Sequence, residues 1–445
     1  MNATRYKRAL LLGALALLLL PALQARLKVV PETELDGAYT TAARPDFAWR
    51  DLLAARYQPA LERYAEDHLG FRNWLIRGRN QLAFSLFRVA RSTEILVGAR
   101  GVLFQAGPVA TAAGQDLMPD GEVRYRVRHL GLVQRDLARQ GISLLFVLAP
   151  NKARFAPELL PAHLRRPLGA ATNYDRFTAA LRADSVEVLD MVPVFARWKK
   201  SSPYPLFAPN GTHWSGYGAT LAADTLMRRL EHLGHLRLPT VRTLGPPHRV
   251  YSVDSLRSYD NDLGRPLNLL VRHASEPVAY RRLAIGPPGA GQVRPSLLLV
   301  GDSFGWGLMQ FAPYIQREFA DDSRFWYYGE TVHQPDSIGH PTGEKAGALD
   351  LQAELRKRRF VVILLTEGNL VSGEFGFTDR LYQLYHPLTE ADRQAIEQIA
   401  QQLADNATSD ERWQKDFMDK MRAQAQREYE RRQATAPRPA GPARP

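Results

Sequence analysis

Leu297-Leu298-Leu299-Val300-Gly301-Asp302-Ser303-Phe304 is the stretch that organises the reading of the whole chain. Four consecutive apolar residues with no polar alternation fit a strand buried on both faces, and a helical pattern over 306–319 follows at once. A serine on the sharp turn between strand and helix projects its hydroxyl above the sheet edge. There the N–H groups of the first helical turn are placed to hold an oxyanion. Read more plainly, the string is Asp302 or Ser303 capping a helix, so its meaning rests on what accompanies it.

Outward from this stretch, helix and strand alternate. The patterns predict a helix over 123–140 and an apolar strand over 142–148 ending at Ala149-Pro150-Asn151-Lys152. A helix over 174–183, a strand over 186–189 ending at Asp190, a helix over 217–233 and a strand over 360–365 ending near Glu367 follow. That order implies an α/β fold with a three-layer arrangement, a parallel sheet covered on both faces by helices. Functional residues of such sheets gather outside the carboxyl ends of the strands, where Asn151, Asp190, Ser303 and Glu367 all lie.

Toward the N-terminus, Arg5, Lys7 and Arg8 precede an uncharged Leu- and Ala-rich run over 9–25, the layout of an export signal. A cleaved signal and an uncleaved signal anchor both fit, and either leaves the rest of the chain extracytoplasmic. The expected organisation is therefore an export or anchor segment over 1–25 and a helical region with a β-hairpin over 26–121. The main domain then runs over 122–386, polar C-terminal helices over 387–432, and a Pro- and Ala-rich tail over 433–445 that is expected to be disordered. Within 26–121, a helical pattern over 49–89 is interrupted near Gly70. Thr389 and Ser409 are placed to cap the two C-terminal helices.

Of the 445 residues, 45% are apolar, enough for a sizeable core, and none is cysteine. Thiol catalysis, disulfides and thiolate metal sites are thereby excluded. The net charge of +12 points to an anionic partner or a membrane surface. Lys and Arg are scattered and no helix-turn-helix, zinc-finger or RNA-binding signature is present, so nucleic acid is not an expected partner.

A second constellation, Asn210-Gly211-Thr212-His213-Trp214-Ser215, stands directly before the helix that begins near Tyr217. A pre-helix histidine beside glycine and tryptophan is a candidate general base, although most of the 11 histidines must be structural.

With these two motifs the chain resembles the alginate O-acetyltransferase (AlgJ/AlgX-like) branch of the SGNH hydrolase superfamily. Gly301-Asp302-Ser303 is similar to the superfamily's nucleophile motif, and Gly211-Thr212-His213-Trp214 to the branch's histidine motif. The histidine precedes the serine, as in the circularly permuted order of that branch. Glu66-Asp67-His68-Leu69-Gly70-Phe71-Arg72, Pro150-Asn151-Lys152 and Asp260-Asn261-Asp262-Leu263 resemble further family stretches. Glu367-Gly368-Asn369 is similar to the Gly-x-Asn-Asp block, whose asparagine donates to the oxyanion. The resemblance therefore implies an oxyanion hole from the Ser303 and Gly305 N–H groups and Asn369, with Asn369 as a plain left-handed turn residue the alternative. Phe304, Trp214 and Trp306 are either core residues or a stacking surface for a sugar ring.

The departure from the pattern concerns the triad acid. The family's aspartate two residues before the histidine is here Gly211, and the ordinary superfamily aspartate three before it is Asn210. Three readings stay open: Asp190 or Glu367 supplies the acid, Asn210 or a backbone carbonyl orients a Ser-His dyad, or the site is degenerate. The resemblance implies an exported O-acetyltransferase that acts on an extracytoplasmic polysaccharide through a Ser303 acyl-enzyme. His213 is then the base, and a membrane-bound O-acyltransferase supplies acetyl groups at the inner membrane. It implies no metal and no cofactor. An esterase of the same fold, or a non-catalytic polysaccharide-binding or export component, is the alternative.

Overall fold

In the computed structural model, residues 3–37, 40–272, 276–336, 339–408 and 416–435 are described. The expected cap Ser409, the start of the helix after it and most of the expected tail lie outside these residues. The chain divides into two units: Met1–Gln105 with Pro209–Gly211 and Ser252–Glu276, and Ala106–Ala208 with Thr212–Tyr251 and Pro277–Pro445.

In the first unit, α1 (Ala3–Leu27) is the apolar N-terminal helix, and its stretch Arg5–Leu27 is long and apolar enough to cross a membrane. The predicted helical stretch over 49–89 is three helices, Trp49–Leu53, α2 (Tyr57–Asp67) and α3 (Arg72–Phe87). The break at Gly70 falls between the last two. Strands β1 (Ile95–Val97) and β2 (Leu103–Gln105) pair antiparallel as the expected hairpin.

The second unit holds a six-stranded sheet. Its strands are β3 (Ser143–Ala149), β4 (Val188–Asp190), β5 (Leu297–Gly301), β6 (Arg324–Tyr327), β7 (Thr331–His333) and β8 (Phe360–Thr366). The spatial order is β7-β6-β5-β8-β3-β4, parallel throughout except for β7, which runs antiparallel to β6 at one edge. Every residue of β5 and β8 is buried, which explains their unbroken apolar runs. Register aligns the carboxyl ends: Gly301 of β5 stands opposite Leu364 of β8, and Thr366 of β8 opposite Ala149 of β3.

Helices α4 (Asp120–Arg139), α5 (Asn173–Ala183) and, farther along, α8 (Phe377–Tyr385) contribute Val123, Val127, Leu130, Phe177 and Leu381 to a core shared with Phe146, Val300 and Ile363 of the sheet. Helices α6 (Met191–Lys199) and α7 (Gly216–Gly234) also contact β3. At the C-terminal end of α7 a Cβ on Gly234 would stand 2.5 Å from the Phe360 ring, so this helix closes on the sheet at a position that only glycine fits. Each fully buried Leu or Val of such a core contributes about 1.5–3 kcal/mol. The last elements among the described residues are α9 (Glu390–Asp405), where Thr389, the expected cap, forms a capping box with Asp392, and α10 (Phe417–Thr435).

One local expectation fails next to the Ser303 turn. Instead of one helix over 306–319, the chain makes a 3-10 turn at Ser303–Trp306, a short helix Gly307–Gln310 and another at Tyr314–Glu318. Pro313, which has no N–H and a fixed φ, separates the last two.

Candidate active site

The turn at the end of β5 is fixed from several sides at once. Gly301 passes so close to β8 that a Cβ there would lie 2.6 Å from the Leu364 carbonyl oxygen, and the Asp302 N–H donates to that same oxygen at 3.2 Å. The Asp302 side chain is fully buried, and four donors converge on it. Its Oδ1 accepts the Phe304 N–H at 3.0 Å. Its Oδ2 accepts the Thr366 N–H at 2.7 Å, the Thr366 hydroxyl at 2.9 Å and the Asn369 amide at 2.7 Å. Nothing in the sequence marks Thr366, since a threonine closing an apolar strand carries no signal of its own.

This web presents Ser303 to His213, and the His213 Nε2 lies 2.8 Å from the Ser303 Oγ. The histidine comes from a loop secured independently. Trp214 bridges antiparallel to Phe207, the Ser215 N–H donates to the Leu206 carbonyl at 2.8 Å, and the Ser215 hydroxyl caps α7 by accepting the Gly218 N–H at 3.0 Å. The His213 ring packs against Phe304, centroids 4.9 Å apart, and Trp214 meets Phe304 edge-on at 5.1 Å. Upstream, the Lys152 ammonium donates to the Ala208 carbonyl at 2.6 Å, which gives the Pro150-Asn151-Lys152 strand end a part in holding the approach to this loop. With imidazole neutral and its proton on Nδ1, the Ser303 hydroxyl donates to Nε2, the arrangement from which a general base takes the proton.

The sequence-derived oxyanion donors fare differently from one another. The Ser303 N–H makes no hydrogen bond among the described residues and is available. The Gly305 N–H donates to the Asp302 carbonyl at 3.0 Å, because the chain tightens into a 3-10 turn there, so it is already used. The Asn369 amide points at Asp302 and, at 3.3 Å, at the Thr366 hydroxyl. In this arrangement Asn369 supports the Ser303 turn through Asp302. Phe304, Trp214 and Trp306 are at most 5% exposed and belong to the core rather than to a stacking surface. An exposed aromatic does stand near the turn: Tyr328, whose N–H donates to the Gly301 carbonyl at 2.8 Å and whose backbone is left-handed, φ 52°.

Neither strand-end carboxylate expected behind His213 bonds to it. Asp190 caps α6 through the Val192 N–H at 3.0 Å and accepts the Tyr174 hydroxyl at 2.8 Å. Its strand is three places from β5 in the sheet, about 14 Å at the usual strand spacing. Glu367 follows the neighbouring strand β8, but its Oε2 pairs with the Arg154 Nε at 2.5 Å, and Arg154 also reaches the Thr172 hydroxyl at 2.9 Å. Burial pushes the Glu367 carboxyl up to about 7 despite Arg154, which acts in the other direction. Asn210 and Gly211 lie in the first unit, where the Asn210 carbonyl accepts the Leu263 and Gly264 N–H groups, both at 3.0 Å. A Cβ on Gly211 would meet the Tyr259 carbonyl oxygen at 2.5 Å and Asp262 Oδ1 at 3.2 Å. The family's aspartate has no room at that position.

The family described as SGNH hydrolase-like domain, acetyltransferase AlgX, matches residues 95–334, more than half of the chain and a range that contains both His213 and Ser303. The chain is similar to the "Probable alginate O-acetylase AlgJ" of Pseudomonas aeruginosa, 29% identical over 161 residues. That match covers 36% of this chain and only 38% of the relative's length. Among solved structures it is similar to the O-acetyltransferase domain of Pseudomonas putida AlgJ, with 17% identity and a TM-score of 0.42 over 65% of this chain and 99% of that one. It is similar also to Pseudomonas aeruginosa AlgX, with 13% identity and a TM-score of 0.42 over 67% of this chain and 71% of that one. The chain belongs to the SGNH hydrolase-like, AlgX-type acetyltransferase family.

Proposed function

We propose that this protein is an exported O-acetyltransferase that carries the acetyl group on Ser303 and passes it to a hydroxyl of an extracytoplasmic polysaccharide. The observation that carries the reading is the 2.8 Å contact between His213 Nε2 and Ser303 Oγ at the carboxyl end of the sheet. A degenerate site has no reason to keep that pair aligned by two independently fixed loops.

In the first half-reaction His213 takes the Ser303 proton as the hydroxyl oxygen attacks the acetyl carbonyl. The new C–O bond forms, the tetrahedral oxyanion lies against the Ser303 N–H, and the donor's leaving group departs with the proton from His213. In the second, His213 deprotonates a sugar hydroxyl as its oxygen attacks the acyl carbonyl; the bond from that carbon to Ser303 Oγ then breaks, and His213 returns the proton to the serine oxygen. Tyr328 offers an exposed ring near the nucleophile turn against which an acceptor sugar can rest. The apolar helix α1 suits a protein held at the inner membrane, where a membrane-bound O-acyltransferase would deliver the acetyl group.

Treatment with a serine-directed sulfonylating or acylating probe, followed by peptide mapping, tests the reading. Labelling at Ser303 that disappears in Ser303→Ala is expected. A folded protein that takes up no label refutes the acyl-enzyme. Incubation of labelled acetyl-enzyme with water alone and with an oligosaccharide then separates transfer from hydrolysis, and acetylated sugar is the expected product.

A further inference from the structure

Helix α3 is built inside out. Within the first unit its inward-facing side chains are largely polar: Asn73 Nδ2 donates to the Thr33 carbonyl at 3.0 Å, Arg77 Nη2 to the Glu34 carbonyl at 2.8 Å, and Asn80 Nδ2 to the Leu267 carbonyl at 2.9 Å. Of its apolar side chains only Phe84 enters the unit's small core, with Ile95, Leu103 and Leu263. The opposite face carries Leu75, Leu82 and Leu86, which are 57%, 61% and 68% exposed. At 100° per residue these three lie within about 40° of one another, so they form one stripe. A helix that faces water has the reverse pattern.

Three observations identify what covers the stripe. The first is its tether to the apolar helix α1. A Cβ on the buried Gly70, just before α3, would stand 2.2 Å from the Pro21 carbonyl oxygen and 2.6 Å from the Ala25 nitrogen, so the turn rests directly on the last turns of α1. The chain leaving α1 is folded back by Gln24, which bonds both the carbonyl and the N–H of Val30. The Glu32 carboxylate then caps α3 by accepting the Phe71 and Asn73 N–H groups at 2.6 and 3.1 Å. The start of α3 is thereby fixed at the level where the apolar helix ends. The second observation is Trp74 at that same end, half exposed, with its ring N–H donating to the Pro31 carbonyl at 3.2 Å; tryptophan is enriched at the membrane–water interface. The third is charge: Arg79, Arg88 and Arg91 are exposed along and just beyond the stripe, in a chain of net charge +12.

We propose that α3 lies on the surface of an anionic bilayer beside α1, with Leu75, Leu82 and Leu86 sunk into the boundary between headgroups and acyl chains. This rests on α1 remaining in the membrane. It adds a second, interfacial attachment that fixes the orientation of the first unit at the surface.

The chain has no cysteine, so single reporters can be introduced without background. The full-length protein carrying Leu82→Cys, or Gln401→Cys as a control on an exposed face of α9, is labelled with an environment-sensitive fluorophore. It is then reconstituted in phosphatidylglycerol/phosphatidylethanolamine vesicles. Nitroxides on the lipid acyl chains are expected to quench the Leu82 label several-fold more than the Gln401 label, and aqueous iodide to do the opposite. The preference at Leu82 is expected to weaken in vesicles of phosphatidylcholine alone. A Leu82 label quenched chiefly by iodide overturns the proposal, and so does one shielded from both quenchers, which would indicate a protein partner on this face. Loss of the protein from the vesicle fraction would refute the anchor as well as the surface, whereas vesicle-bound protein with Leu82 in water refutes the surface alone. Leu86→Glu, a change at an exposed side chain, is expected to leave the melting temperature in detergent unchanged and to abolish lipid quenching at Leu82.

Discussion

Two neighbouring strands of the sheet, β5 and β8, end in acidic residues that are equally buried and very differently supported. Asp302, just past β5, receives four hydrogen bonds from Phe304, Thr366 and Asn369. Glu367, just past β8, has Arg154 on one oxygen, while its Oε1 is buried with no partner among the described residues. One carboxylate is an acceptor saturated by donors that also shape the turn carrying Ser303. The other is an ion pair in a nearly dry setting, displaced far enough in its ionisation to respond to pH near neutrality. A strand-end carboxylate is therefore not by itself evidence of chemistry: its partners decide whether it positions, titrates or reacts.

Loss of the Ser303 hydroxyl or of the His213 imidazole, at the β5 end, should cost the most. Ser303→Ala and His213→Ala should each lower acetyl transfer by about 1,000-fold or more while leaving the fold intact, and the double variant should be little worse than either single one. Rates on an activated acetyl ester, with circular dichroism as the folding control, check this. Independent, multiplying losses would mean that the pair does not act as a unit.

Asp302→Asn comes next. An amide must turn its NH2 toward at least one N–H donor, so a hydrogen bond is replaced by a donor facing a donor. The expected cost is about 1–3 kcal/mol of stability, together with a loss of transfer of tenfold or more as the Ser303 turn loosens. Denaturant unfolding and transfer rate, measured on the same preparation, should fall together.

Asn369→Ala sharpens the assignment of that amide. An oxyanion donor costs about 100- to 1,000-fold in rate on removal, with little change in stability. A side chain that acts through Asp302 should cost about 1 kcal/mol of stability and only about tenfold in rate. Rate and unfolding free energy measured together distinguish the two, and a large rate loss at unchanged stability would return Asn369 to the oxyanion hole.

The same contrast explains what the sequence made legible. The central strands are unbroken apolar runs because both faces are covered, so their existence and their parallel order follow from composition and the alternation with helices. The Ser303 and His213 motifs are local strings whose turns are set by nearby residues, and the two side chains lie 2.8 Å apart. The support of Asp302 was not legible, because Thr366 and Asn369 are 64 and 67 residues away and become its neighbours only through the pairing of β5 with β8. Asp190 and Glu367 are candidates from sequence because strand ends converge. Position at a strand end does not specify which way a side chain points, and Tyr174 and Arg154 turn them elsewhere. The helix expected over 306–319 failed for a cause visible in the string, Pro313.

On the β8 side the expected effect is on stability, and it has a sign. The Glu367 carboxyl is raised from 4.5 to about 7 in the folded chain by burial, against the pull of Arg154. Between those values the folded state holds a proton that the unfolded state has lost, so this group makes stability fall as pH rises from about 4.5 to about 7, and the loss is complete above that. Glu374, fully buried and also raised to about 7, adds a contribution of the same sign. Glu367→Gln should flatten the decline without abolishing it, and should change transfer by less than about threefold. Unfolding free energies at pH 5 and pH 7.5 for both proteins check the slope. An unchanged slope would mean that Arg154 keeps Glu367 ionised throughout.

The smallest effect is expected at Asp190, the other carboxylate that position alone nominated. Its two oxygens serve the Val192 N–H and the Tyr174 hydroxyl, and β3 and β8 separate its strand from β5. Asp190→Asn keeps a side-chain oxygen able to cap α6, since asparagine is about as good a cap as aspartate. The Tyr174 hydroxyl can turn to accept from the new amide. Stability should therefore change by less than about 1 kcal/mol and transfer by less than about threefold, with the pH dependence of kcat unmoved. That last readout decides the case. A carboxylate standing behind the His213 imidazole would stabilise its cationic form, and its removal would shift the limb of the pH–rate profile that reports the histidine. If Asp190→Asn moves that limb, the hydrogen bonds seen at Asp190 are not the ones that matter in turnover; if it does not, the acid expected at this strand end is a helix cap.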